Sequence, residues 1–163
     1  FDRLVEAGVG LELKPFGIRA MDSMRFEKSY RMIGAELSIE YAAYESGLDR
    51  FVHPNKGDFI GRDALVRWRE SGFANQFVTL AVHDASDADA LGNNPITADG
   101  RLVGRATGGN YGFRVGQSLA LAMVQPDYAA IGTDLEMDVL GTPHRVTVIP
   151  DSPYDPENAR LRS

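Results

Sequence analysis

The residue with the clearest chemical potential is Glu27, at the centre of SMRFEKSYRMIG, Ser23 to Gly34. It sits among Met24, Phe26, Tyr30 and Met32 and is flanked by Arg25, Lys28 and Arg31. A carboxylate so placed can pair with Arg31, four residues on, along an exposed helix edge; such a pair is worth roughly 0.2–0.5 kcal/mol. It can equally be a fixed acceptor for a polar ligand with N–H donors. Residue types and spacing leave both readings open. Lys56, in the turn-rich HPNKGD of His53 to Asp58, reads on its own as a solvated loop lysine, and Tyr30 as an aromatic anchor of the core.

Other chemistries find little support. His53, His83 and His144 lie far apart without HxxxH or HxH spacing, so no metal site is expected. The absence of cysteine removes disulfides, thiolate ligands and thiol nucleophiles together; it fits a reducing compartment, and a cytoplasmic location is expected. GRATGGNYG, Gly104 to Gly112, lacks the GxxxxGK pattern and a helix behind it, which favours a β-turn or bulge over a phosphate cradle. Ser118 and Ser152 have no His and Asp in triad order. A net charge of -6 argues against nucleic acid as a partner. No run approaches the ~18 apolar residues of a membrane span, so no membrane partner is expected either.

The elements that must position Glu27 follow from periodicity. GIRAMDSMRFEK reads as a helix ending near Lys28, with Ala20, Met21, Met24, Glu27 and Tyr30 on one broad arc. FDRLVEAGVG reads as the last turns of a helix stopped by Gly8 and Gly10; a chain that opens inside a helix, on Phe1 and not on methionine, is expected to be a C-terminal fragment. AELSIEYAAYESGLDRFV has no clear period and is expected to be a connector turning at Gly47, with Leu48, Phe51 and Val52 docked on the core. GRDALVRWRESG predicts a short helix over 62–71, with Asp63 in its first turn, Gly72 behind its end and Trp68 substantially buried. QFVTLAVH, ITADGRLVGRAT, SLALAMV, DLEMDVL and HRVTVIP are short β-prone runs, and Asp99-Gly100 marks a hairpin.

Taken together, PFGIRAMDSMRFEKSYRMIGAEL, YESGLDRFVHPNKGDFIGRDAL, VGRATGGNYG and IPDSPYDPENARLR resemble the C-terminal part of the glycine-cleavage T-protein (aminomethyltransferase) family. The pattern is closest to the folate-binding domain behind the flavin domain of dimethylglycine and sarcosine dehydrogenases. The resemblance covers nearly the whole chain. It implies an α+β fold: the end of an α/β folate-binding domain over 1–45, a connector over 46–74, a six-stranded antiparallel β-barrel-like domain over 75–150 and a tail over 151–163. It also implies tetrahydrofolate as cofactor, with the Glu of the RxE segment, here Glu27, binding it. A carboxylate can accept two coplanar N–H bonds from an aminopyrimidine edge. Lys56 is the nearest match to a basic folate-side residue of the family, and Tyr30 is close enough in sequence to line the same pocket.

One departure limits the reading. The aspartate that activates the folate nitrogen in the family belongs to an N-terminal half with no counterpart here, and Asp22 and Asp58 lie in the wrong segments to replace it. No catalytic residue is therefore expected in this chain. FAD is expected only in an upstream domain, since no dinucleotide fingerprint is present. The expected partners are folate and the parent's upstream flavin and folate domains, with self-association through apolar surface left uncovered. The alternatives are a glycine-cleavage aminomethyltransferase and a docking module with a vestigial folate pocket.

Overall fold

The computed structural model describes residues 1–84 and 88–162. Helix α1 (Asp2–Ala7) ends at Gly8 and buries no residue. Helix α2 spans Ile18–Glu27 and is closed by Lys28, so its end falls where the sequence reading puts it. Its buried stripe is a different one, however. Ser23, Phe26 and Glu27 face inward, while Met21 and Met24 remain about half exposed. A Cβ at Gly108 would stand 3.2 Å from Phe26 Cζ, so the missing side chain lets Phe26 lie close on the barrel wall.

That wall is a closed antiparallel barrel of six strands: β1 (Gln76–Val82), β2 (Pro95–Ala98), β3 (Arg101–Gly112), β4 (Gln117–Val124), β5 (Asp134–Val139) and β6 (Thr142–Ile149). Their order is β1-β4-β3-β2-β5-β6, and β6 pairs back onto β1 from Val82↔Val146 to Thr79↔Ile149. Closure leaves no strand edge open. The two-residue turn at Asp99-Gly100 joins β2 to β3 with positive φ at both positions (49° and 74°), the geometry that the hairpin signal predicts. GRATGGNYG lies within β3 and carries a bulge between Ala106 and Gly108.

Alternation sorts the side chains into two cores. Val78, Leu80 and Val82 of β1 and Ala120, Ala122 and Val124 of β4 fill the interior with Ile96, Met137 and Val146. Phe77 of β1 and Leu119, Leu121 and Met123 of β4 point outward and are covered by Phe26 of α2. Helix cover explains why β1 and β4 are nearly continuous apolar runs, buried on both faces.

The remaining segments depart further from expectation. In the connector, Ala42, Tyr44, Glu45 and Ser46 are buried, whereas Phe51 is 64% exposed and does not dock on the core. Gly47 turns the chain as predicted, at φ 66°. Helix α3 (Arg62–Ser71) has the predicted bounds, but Trp68 is 47% exposed, against the expectation of burial. The helix packs chiefly on the 3-10 turn Pro54–Lys56 and buries none of its residues, so it offers Trp68 no core. No helix among the described residues is long and apolar enough to cross a membrane.

Candidate functional site

Glu27 is 2% exposed and has no ion pair with Arg31. Its Oε1 accepts two backbone N–H groups from the β3–β4 turn, Arg114 at 2.5 Å and Val115 at 3.2 Å. Ser23, one helical turn earlier, donates its hydroxyl to Tyr111 O at 2.7 Å. Two side chains on one face of α2 thus seat the end of β3 and the turn behind it. Oε2 of Glu27 has no hydrogen bond to a described residue, and Glu27 is part of the lining of a pocket of about 440 Å³. Ala20 and Met24 of α2 form one wall and Tyr111, Phe113 and Arg114 the other. Tyr111 and Phe113 meet edge to face, with centroids 5.1 Å apart. The site therefore offers one oxygen of a largely buried carboxylate and an aromatic wall, as a flat ring with N–H donors on its edge requires.

The C-terminal end of α2 holds Glu27 in place. Ser29 N donates to Phe26 O at 3.1 Å and Tyr30 N to Arg25 O at 3.0 Å, the paired bonds of a Schellman ending. Ser29 takes the left-handed position of that ending at φ 52°, where glycine is usual. Its hydroxyl is fully buried, lies 2.7 Å from Thr79 Oγ1 of β1 and accepts Ser152 N at 2.9 Å. Arg31, freed from Glu27, reaches Ser29 O, Ser46 O and Asp151 Oδ2 and stacks over Phe77 at 3.7 Å. The Pro- and charge-rich tail, which has no core-forming power of its own, is bound back here. Tyr154 N donates to Glu27 O at 3.1 Å and Ser152 Oγ to Lys28 O at 2.8 Å, which satisfies carbonyls that the helix end leaves open.

The other two residues singled out in the sequence lie elsewhere. Tyr30 is 53% exposed; it is neither a core anchor nor part of the pocket lining, because the Schellman turn swings it outward behind α2. Lys56 is exposed on its 3-10 turn, with Nζ 4.7 Å from the Phe59 ring, and does not line the pocket. Sequence reasoning missed two further buried glutamates. Glu36 accepts Met32 N at 2.8 Å and the Thr107 hydroxyl, and lies 3.7 Å from Arg25 Nη1. Glu45 accepts Ala42 N at 2.8 Å and Asn75 N at 2.9 Å, next to the start of β1. On the far side of β3, the Arg105 guanidinium is held by Tyr41, Glu40 and Asn93, and its hydrogen bonds to Tyr41 and Glu40 raise its pKa.

A closed six-stranded barrel with a helix across its outer wall, and a preceding segment that ends in a buried carboxylate, define the C-terminal body of a two-domain protein class. Residues 75–155 match the glycine cleavage T-protein C-terminal barrel domain, and residues 1–56 match the GCVT N-terminal domain. The chain belongs to the glycine-cleavage T-protein family. It is 34% identical over 163 residues to mitochondrial dimethylglycine dehydrogenase of Mus musculus, covering 99% of this chain and 19% of that one. It is 30% identical over 154 residues to the aminomethyltransferase of Thermoanaerobacter pseudethanolicus, covering 94% of this chain and 41% of that one. The crystal structure of the glycine cleavage system aminomethyltransferase T from Bartonella henselae superposes with a TM-score of 0.78 at 20% identity, over 85% of this chain and 39% of that one. The chain thus spans about a fifth of the first relative and about two fifths of the second.

Proposed function

We propose that this chain forms part of a tetrahydrofolate-dependent one-carbon transfer module, of the kind joined to a flavin domain in dimethylglycine and sarcosine dehydrogenases. Residues 1–45 would close the folate-binding domain, 46–74 connect it, 75–150 form the barrel and 151–163 the clasp at the end of α2. The observation that carries the reading is Glu27, a buried carboxylate with one oxygen committed to the β3–β4 turn and the other without a hydrogen bond to a described residue, beside an aromatic-walled pocket. Tetrahydrofolate supplies the nitrogen that accepts the one-carbon unit. This chain's part would be to bind and orient it: Glu27 Oε2 would accept N–H donors of the pterin, and Tyr111 and Phe113 would supply apolar contact from the pocket wall. Tyr30 and Lys56 lie outside the pocket and have no part in the proposal. The proton-moving residue and the flavin belong to upstream domains of the parent. A cytoplasmic location is part of the same proposal, supported by the cysteine-free sequence; cell fractionation tests it.

Calorimetric titration of the full-length gene product with tetrahydrofolate, wild type against Glu27→Gln, tests the role of Glu27. Gln keeps an oxygen for the Arg114 and Val115 N–H groups but replaces the second oxygen by a donor. A charged hydrogen bond is worth about 1.5–3 kcal/mol, so affinity should fall roughly tenfold to a hundredfold. Equal affinity in the variant overturns the assignment. The second reading is a glycine-cleavage-type aminomethyltransferase, to one of which the chain is 30% identical over 94% of its length, and product analysis with glycine-derived or N-methyl substrates separates the two.

A further inference from the structure

We infer that Gly112 is a positioning residue for this site, setting where the Glu27 carboxylate and the β3–β4 turn stand relative to each other. The folate reading enters only through the ligand used to test it. Gly112 is the last residue of β3, and its φ lies outside the left-handed region, so it is not required for backbone conformation. What it supplies is space. A Cβ there would stand 2.7 Å from Val115 Cγ2, 3.0 Å from Glu27 Cγ and 3.1 Å from Leu119 Cδ1. The approach to Val115 is under 3.0 Å and forces a shift, and those to Glu27 and Leu119 are tight enough that each must give by a few tenths of an ångström. Leu119 belongs to the outer core under α2, Glu27 is held by the turn, and Val115 is part of that turn.

The coupling runs through few atoms. Gly112 O accepts Gly116 N at 2.7 Å and closes the turn, whose Arg114 and Val115 N–H groups both point to Glu27 Oε1. Tyr111 O, one residue before Gly112, is tied to Ser23 of the same helix. Tyr111, Phe113 and Arg114, which form one wall of the pocket, therefore ride on the backbone that Gly112 allows to approach α2. A side chain at 112 would push the turn and the carboxylate apart and move the wall and the remaining oxygen together. The ligand class this selects is a flat heteroaromatic ring with adjacent N–H donors, since a displaced wall would no longer lie beside the oxygen.

Gly108 supplies the control. It lies in the same strand and faces the same helix, but its Cβ would meet Phe26 Cζ at 3.2 Å and does not touch the pocket lining. Gly112→Ala and Gly108→Ala in the full-length protein are compared with wild type for tetrahydrofolate affinity, melting temperature and amide exchange at Arg114 and Val115. Gly112→Ala is expected to weaken binding at least about tenfold and to expose both amides, since displacements near 1 Å at a site lower function by up to about a hundredfold. Gly108→Ala is expected to lower the melting temperature while leaving affinity and the two amides as in wild type. Wild-type affinity and protected amides in Gly112→Ala overturn the inference, as does an equal loss of affinity in both variants. If wild type binds no tetrahydrofolate, the folate reading falls, and amide exchange alone decides the role of Gly112. Should Gly112→Ala not fold, the double variant Gly112→Ala/Val115→Ala takes its place: it removes the methyl that the new Cβ would meet at 2.7 Å and keeps the approach to Glu27 Cγ at 3.0 Å.

Discussion

Ser29 permits the sharpest test of how the end of α2 is held. It is fully buried, it occupies a left-handed position at φ 52°, and its hydroxyl joins β1 to the tail. In Ser29→Ala the Ser152 N–H loses its acceptor, and Thr79 Oγ1 keeps only Asp151 Oδ1, at 2.8 Å. An ordinary hydrogen bond contributes about 1 kcal/mol net, and a buried donor left without a partner costs about 1–3 kcal/mol. The loss should thus be about 2–3 kcal/mol, or roughly 5–10 °C in melting temperature for a chain of this size. Ser29→Gly loses the same bonds but relieves the left-handed strain, which is on the order of 1 kcal/mol for a residue with a Cβ. Glycine should therefore be more stable than alanine here by about 1 kcal/mol, the reverse of their order inside a helix. Urea unfolding of both variants measures the difference. Alanine equal to or better than glycine would refute the Schellman reading, and a Ser29→Ala loss below about 0.5 kcal/mol would refute the hydroxyl's bridging role.

Two contrasts follow from the packing. Phe26→Ala empties the space between α2 and the outer barrel wall and should destabilise by about 3–5 kcal/mol, whereas Trp68→Ala on the nearly uncovered α3 should change stability by less than about 1 kcal/mol; denaturant unfolding of the pair checks both. Leu4, Val9, Leu11, Phe16 and Ile18 lie exposed in and after α1, so the 163-residue chain should associate with rising concentration in light scattering; a clean monomer throughout would refute this.

Legibility divided along the range of the interactions. The barrel strands could be read because β-prone composition and turn chemistry are local: Asp99-Gly100 specifies its hairpin within two residues, and SLALAMV is a β-prone run that forms β4. The bounds of α3 were equally local, but the burial of Trp68 depended on a surface the helix never meets. The stripe of α2 was ambiguous for the same reason. Arcs through Met21 and Met24 or through Ser23 and Phe26 are both helical, and the inward one is the one that meets β3, β4 and the turn between them, more than eighty residues on.

Glu27 is the limiting case. Its partners are backbone N–H groups 87 and 88 residues away, a donor type that nearly every position carries and that no residue type therefore betrays. Local logic could propose only Arg31, which in fact binds Ser29 O, Ser46 O and Asp151. Glu36 and Glu45 are related cases: each takes a nearby backbone N–H, of Met32 and Ala42, and a more distant donor, the Thr107 hydroxyl and Asn75 N. The one trace such a contact leaves in sequence is negative, a glycine where the acceptor must come close. Gly112 is that trace: it sits in a glycine-rich run whose chemistry looked empty because its function is to make room. A carboxylate suits the position better than a neutral acceptor. It accepts through two oxygens, so it can satisfy a turn with one and still present the other to a ligand.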